Sequence, residues 1–225
     1  VERFNPALQA ARRVSGLPKY IRTERLSPFP FRSLDISVVY DVLIHDLDLV
    51  LDLVGSEIAS VHAFGTSILT DHVDCVTARL QFESGCVADL TASRVNPVSK
   101  REMQIWSAIG CVNVDLQARE VTTFAQSESL RFGKSLMERS REPGADIEQL
   151  KQDVFGKFIR VEKPDVYEQD ALTVELEEFA NSVRGVCSPS CSGHEGLAAV
   201  KAADLVTKAI EAHQWGQPYL LRDVA

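Results

Sequence analysis

No stretch of the 225-residue sequence stays apolar for the roughly 20 residues that a membrane-spanning helix needs. A basic tract is also missing: 24 Lys and Arg stand against 32 Asp and Glu, for a net charge of -8. Nucleic acids and anionic membranes require a positive surface to neutralise phosphates, so neither is an expected partner. None of the twelve glycines falls in a G-x-G-x-x-G or G-x-x-x-x-G-K-S/T pattern, so no phosphate-cradling turn is recognisable. The five cysteines, Cys75, Cys86, Cys111, Cys187 and Cys191, are odd in number and scattered. That is the pattern of reduced thiols rather than of a disulfide frame. With no charged-then-apolar leader at its start, the sequence reads as cytoplasmic. Val1 is not an initiator methionine, which suggests a fragment.

What is present suffices for a core, since 45% of the residues are hydrophobic. Residues 5–15 read as a helix with Asn5 as N-cap and Pro6 in the first turn, stopped by Gly16 and Pro18. Residues 18–36, with Pro18, Pro28 and Pro30 among Arg22, Arg25 and Arg32, read as an extended connection, either a binding loop or a solvated connector. Residues 37–54 return to helical periodicity and stop at Gly55. Leu43, Leu47, Val50, Leu51 and Val54 form an apolar stripe there, and Asp41, His45, Asp48 and Asp52 a polar one.

Beyond Gly55 the period falls to two, and strands are expected over 58–66, 73–82, 86–95, 103–109, 111–116, 120–124 and 154–162. Tight turns at Glu83-Ser84-Gly85 and Gly110 make successive strands antiparallel, a meander. A polar segment, 125–152, reads as a long loop or frayed helix. Two helices close the chain: 167–183, with Leu172, Leu176, Phe179 and Val183 inward, and 192–213, opened by a capping box from Ser192 to Glu195. The expected fold class is α+β: one domain over 1–225, a large, mostly antiparallel open sheet with helices on one face. Aliphatic groups fall on both faces in places, Val76, Ala78 and Leu80 against Cys75, Thr77 and Arg79, so part of the free face is expected to be apolar and to form a homodimer, or a tetramer, through the sheet.

Asp41 and His45 stand four residues apart on the polar stripe. A carboxylate one helical turn from an imidazole can fix its tautomer and raise its basicity, as a general base requires. A structural ion pair fits the same spacing. Asp41, His45 and Asp48 are chemically able to bind a metal, but no second ligand cluster accompanies them, and the expected metal is none. Cys187 and Cys191, separated by Ser-Pro-Ser, read as a loop before the Ser192 cap.

Four short motifs occur in order: Val1-Glu-Arg-Phe-Asn-Pro-Ala7, Arg25-Leu-Ser-Pro-Phe29, Asp41-Val-Leu-Ile-His45-Asp46-Leu-Asp48-Leu49, and Phe82-Glu-Ser-Gly85 followed by Ala88 to Arg94. Together they resemble the C-terminal part of the glucose-fructose oxidoreductase/inositol dehydrogenase (Gfo/Idh/MocA) family. The resemblance implies that a separate N-terminal Rossmann domain, absent from this chain, binds NAD or NADP. The C-terminal domain would hold a sugar substrate and build the oligomer. By the same resemblance His45 is the acid/base at the substrate hydroxyl and Asp41 its partner, while hydride passes to the nicotinamide. The family's catalytic lysine, in a Glu-Lys-Pro motif, belongs to the missing domain, and Glu162-Lys163-Pro164 is taken as coincidence.

The opening motif and the Arg25 segment look like the branch acting on nucleotide-linked amino sugars, where arginine suits a diphosphate. Arg25, Arg94 and Arg3 are therefore expected substrate contacts. This chain alone is expected to bind no dinucleotide and turn over nothing. The alternative is a non-catalytic, oligomerising ligand-binding module of the same fold.

Overall fold

The structure, a computed structural model, describes residues 1–213. A 3-10 turn, Glu2–Phe4, leads into α1 (Pro6–Ser15). The Asn5 side chain accepts the Ala7 amide at 3.0 Å and donates to the Leu116 carbonyl at 3.0 Å, so one buried amide both caps the helix and ties it to the sheet. Gly16, at φ +65°, ends the helix and turns the chain into β1 (Pro18–Leu26).

β1 corrects the expectation of an extended connection. Its side chains alternate, with Ile21, Thr23 and Arg25 buried and Tyr20, Arg22 and Glu24 on the other face. Arg22 and Arg25 thus lie on opposite faces, and only the first behaves as a solvated arginine. A turn of π-helix, Val39–Leu43, then opens α2 (Ile44–Val54), which Gly55 closes in the left-handed conformation. Leu43, Leu47 and Val50 are buried as expected, and Leu49 and Asp46 join them.

The remaining strands are β2 (Ile58–Thr66), β3 (Cys75–Phe82), β4 (Val87–Ser93), β5 (Lys100–Ser107), β6 (Gly110–Asp115) and β7 (Glu120–Gln126). Three short helices follow, α3 (Glu128–Arg131), α4 (Leu136–Ser140) and α5 (Ile147–Asp153), in the segment read as loop or frayed helix. β8 is confined to Ile159–Glu162, shorter than expected. The eight strands lie in the order β2-β3-β4-β1-β5-β6-β7-β8. The meander is therefore split: β1 inserts between β4 and β5, parallel to the first and antiparallel to the second. Every other neighbouring pair is antiparallel.

Two helices finish the described chain, α6 (Ala171–Val183) and α7 (Gly193–Ala212), the latter opened by the expected Ser192–Glu195 capping box. α1, α2 and α7 cover one face of the sheet, where Ile21, Ala78, Leu80, Leu90, Met103 and Ile105 meet them in the core. α6 departs from expectation. It packs on the Glu2–Phe4 turn, and Leu172, Leu176, Phe179 and Val183 are 50–72% exposed rather than inward. Helical periodicity identifies the face that favours burial, whereas what covers it depends on contacts periodicity does not encode.

The other face of the sheet is mostly polar, whereas the sequence pattern implies that part of it is aliphatic. On β3 the aliphatic residues Val76, Ala78 and Leu80 all point to the core, leaving Thr77 and Arg79 outside. Asp89 accepts both prongs of Arg79 at 2.7 Å and the Tyr20 hydroxyl at 2.7 Å. The Tyr20 ring lies 5.1 Å from Trp106, opposite it on β5. No helix among the described residues is long and apolar enough to cross a membrane.

Candidate active site at the start of α2

The polar stripe of α2 is largely occupied by arginines. Arg3, 7% exposed, grips Asp48 with two prongs at 2.8 and 2.5 Å and reaches Asp52 at 3.0 Å. Arg12 also contacts Asp52. Planar guanidinium forks match carboxylates in this way, and the pairing clamps the first turns of the chain to the last turns of α2.

A second arginine holds the other end of the helix. Arg25 donates through Nε and Nη2 to Asp46 Oδ1 at 3.0 and 2.7 Å, and through Nη1 to Glu2 Oε1 at 2.9 Å. Arg25 and Asp46 are both buried. Burial opposes the charge on Arg25, but Asp46 and Glu2 outweigh it and raise its pKa, so the guanidinium stays protonated. Glu2 is held below the usual carboxylate range: burial works against the anion, and Arg25, Arg101 and His45 more than compensate. Arg101, opposite Arg25 in register, brings Nη1 to 3.6 Å from Glu2 and is half exposed.

Asp41 and His45 are the two ionisable side chains of the stripe left without a hydrogen bond or ion pair among the described residues. They do not bond to each other. Asp41 sits in the π turn, and a π turn holds more residues than an α turn, so a four-residue step across it does not stack side chains as an α-helix would. His45 is exposed, beside Glu2, Arg25 and Asp46. Partial burial, then the charge of Arg25, lowers its pKa from 6.5, while Glu2 and Asp46 pull the other way. The imidazole is therefore neutral at neutral pH and available to accept a proton. Among the described residues, no three His, Cys, Asp or Glu side chains converge as a metal-binding group.

Arg94 lies outside this cluster, fully buried after β4. It donates to Asp74 at 2.8 Å, to the carbonyls of Ser33 and Ile36 at 2.9 Å each, and to the Thr70 hydroxyl at 2.9 Å. Asp74 also accepts the amides of Ile68, Leu69 and Thr70 at 2.7–3.0 Å. The pair stitches the loop after β2 to the loop that enters α2. Arg3, Arg25 and Arg94 thus each spend their donors on protein groups. The sequence reading did not single out Glu2, Asp46 or Asp74. The available signal was a lone acid inside an apolar run, Asp46 among Leu43, Ile44 and Leu47.

The three connections from strand to helix among the described residues, 27–38, residue 127 and 163–170, contain no glycine. A pyrophosphate needs close backbone approach at such a turn, so these residues do not fit a nicotinamide dinucleotide.

An eight-stranded, mostly antiparallel open sheet with helices on one face defines a domain class, and residues 19–111 match the GFO/IDH/MocA C-terminal domain. This chain is similar to the C-terminal domain of the Gfo/Idh/MocA oxidoreductases. It is 34% identical over 213 residues to the UDP-N-acetylglucosamine 3-dehydrogenase of Acidithiobacillus ferrooxidans, covering 94% of this chain and 61% of that protein. A crystal structure of that enzyme superposes with a TM-score of 0.77, again over 94% and 61% of the two chains. A levoglucosan dehydrogenase in complex with NADH and L-sorbose (15% identity, TM-score 0.71, 93% of this chain and 62% of that one) shares the fold. So does an NAD-binding protein from Listeria innocua (14% identity, TM-score 0.66, 93% and 58%). The chain spans about three-fifths of the length of these relatives.

Proposed function

We propose that this chain is the substrate-binding and oligomerisation domain of an NAD(P)-dependent dehydrogenase that oxidises a hydroxyl of a nucleotide sugar, with His45 as the acid/base. The observation that carries the reading is the state of His45: exposed, free of hydrogen bonds among the described residues, its pKa lowered, on a helix held at both ends by buried arginines. The 34% identity to a UDP-N-acetylglucosamine 3-dehydrogenase supports the substrate class.

In this account the neutral imidazole takes the hydroxyl proton as the carbon beneath it is oxidised, and returns it in the reverse direction. Asp41, also unpaired among the described residues, is the carboxylate that orients His45 once substrate is bound, since catalytic hydrogen bonds often tighten only in the complex. The nicotinamide, bound elsewhere in the complete protein, supplies the hydride acceptor. Arg3 and Arg25 position α2, and Arg94 positions the loop before it. In this reading the three arginines serve the site through those elements, with their donors on protein groups.

The complete protein, given UDP-N-acetylglucosamine with NAD⁺ or NADP⁺, should show sugar-dependent growth of reduced-nicotinamide absorbance. Absence of that signal with both cofactors would remove the dehydrogenase reading.

The face of the sheet opposite α1 and α2, with its neutralised Arg79–Asp89 pair and the Tyr20 and Trp106 rings, is the proposed interface between copies. Light scattering of this chain should give twice or four times its 24.9 kDa mass. A concentration-independent monomer would contradict the interface.

A further inference from the structure

The loop between β1 and the π turn reads Ser27-Pro28-Phe29-Pro30-Phe31-Arg32-Ser33. Its hydrophobic content projects outward. Phe31 is 83% exposed, set edge-on to Phe29 with ring centroids 5.0 Å apart. Arg32 is exposed and has no hydrogen bond or ion pair among the described residues, whereas Arg3, Arg25 and Arg94 are all engaged.

The loop is also stiff. Two prolines fix their own φ angles. Phe31 and Ser33 hold φ +51° and +52°, a region that non-glycine residues enter only when their surroundings impose it. Here Arg94, buried with Asp74, donates to the carbonyls of Ser33 and Ile36, and Ser27 exchanges backbone hydrogen bonds with Ser93 and Asn96. A core ion pair thus holds an exposed aromatic ring and a free guanidinium in place. Three residues past Ile36 the same chain enters the turn that carries Asp41.

A preorganised flat ring and an unpaired guanidinium on one short loop complement two parts of a nucleoside diphosphate. The ring offers a stacking surface to a base, which is tolerant of its identity. The guanidinium offers a fork to phosphate oxygens. Resting on the nucleotide-sugar reading above, we infer that the Pro28–Ser33 loop holds the nucleoside diphosphate end of the substrate, Phe31 stacking on the base and Arg32 pairing with the diphosphate. The sugar end then extends toward His45.

Calorimetric titration of the complete protein with UDP tests this directly. Both side chains are exposed, so Phe31→Ala and Arg32→Ala should unfold at the wild-type temperature. Each should weaken UDP binding about tenfold, the scale of one lost stacking or charged contact. Arg32→Ala should also flatten the salt dependence, and Arg32→Lys should recover part of the loss. If the wild-type protein binds UDP and both alanine variants bind it within twofold as well, the loop assignment is overturned and the dehydrogenase reading stands. If the wild-type protein does not bind UDP, the loop assignment falls together with the nucleotide-sugar substrate.

Discussion

Replacing Arg94 with alanine should lower the unfolding free energy by about 3–5 kcal/mol, the scale for removing one partner from a buried ion pair. Arg94 and Asp74 are fully buried, and the guanidinium satisfies four acceptors on two loops: Ser33 and Ile36 on one, Thr70 and Asp74 on the other. Its loss leaves the buried Asp74 carboxylate without its counter-charge and removes the donor from the Ser33 and Ile36 carbonyls at once. For a domain of this size the midpoint of thermal unfolding should fall by about 10 °C. Arg94→Lys should recover only part of the loss, because a single ammonium cannot reproduce the fork.

The same pair sets an acid limit. Burial opposes the Asp74 anion, but the amides of Ile68, Leu69 and Thr70 and the Arg94 guanidinium hold its pKa well below the ordinary value. The folded state thus binds its proton less readily than the unfolded chain does. The contribution is full above about pH 4, the unfolded value, and is lost as pH falls below it. A loss under 1 kcal/mol in Arg94→Ala would show that the loops hold together without the pair.

In the complete protein, His45→Ala should reduce kcat by about 10² to 10⁴-fold, the range for deleting a general base, with the fold and oligomer unchanged. His45 is exposed and hydrogen-bonds to nothing among the described residues, so its removal leaves no buried group unsatisfied. A structural role would produce the opposite pattern, lost stability with retained turnover. Asp41→Asn should cost less than His45→Ala, because the structure shows no standing bond between the two and the asparagine keeps an acceptor.

The helical parts of this fold are legible because their chemistry is local. Asn5-Pro6, Gly55 and the Ser192–Glu195 box mark helix ends through bonds made within a few residues, and they do so in the structure. β1 was obscured because its inward face carries Arg25. A buried arginine looks like a solvated one until its partners are known, and those partners, Asp46 and Glu2, come from distant positions. The central place of β1 in the sheet, parallel to β4, is likewise a matter of long-range pairing, and tight turns alone imply a meander. The exposed stripe of α6 follows the same rule: Leu172, Leu176, Phe179 and Val183 share a face as their spacing requires, but spacing does not name a cover.

At the site, the sequence shows the candidate base and the resemblance its role, while the surroundings that set its protonation come from the fold. His45 is marked by its position in an apolar helix. That Asp48 and Asp52 are closed by Arg3, that Asp46 turns inward to Arg25, and that Glu2 arrives from the first turn are tertiary facts. They convert a polar stripe into one open imidazole.

The central claim is that this imidazole is the proton acceptor, and the pH dependence of kcat/KM in the complete protein tests it most directly. Partial burial and Arg25 lower the pKa of His45, so the wild-type profile should hold through neutral pH and fall on an acid limb centred below 6.5. That limb should vanish from the residual activity of His45→Gln. An acid limb that persists unchanged in His45→Gln would contradict the account and assign the proton transfer to another group.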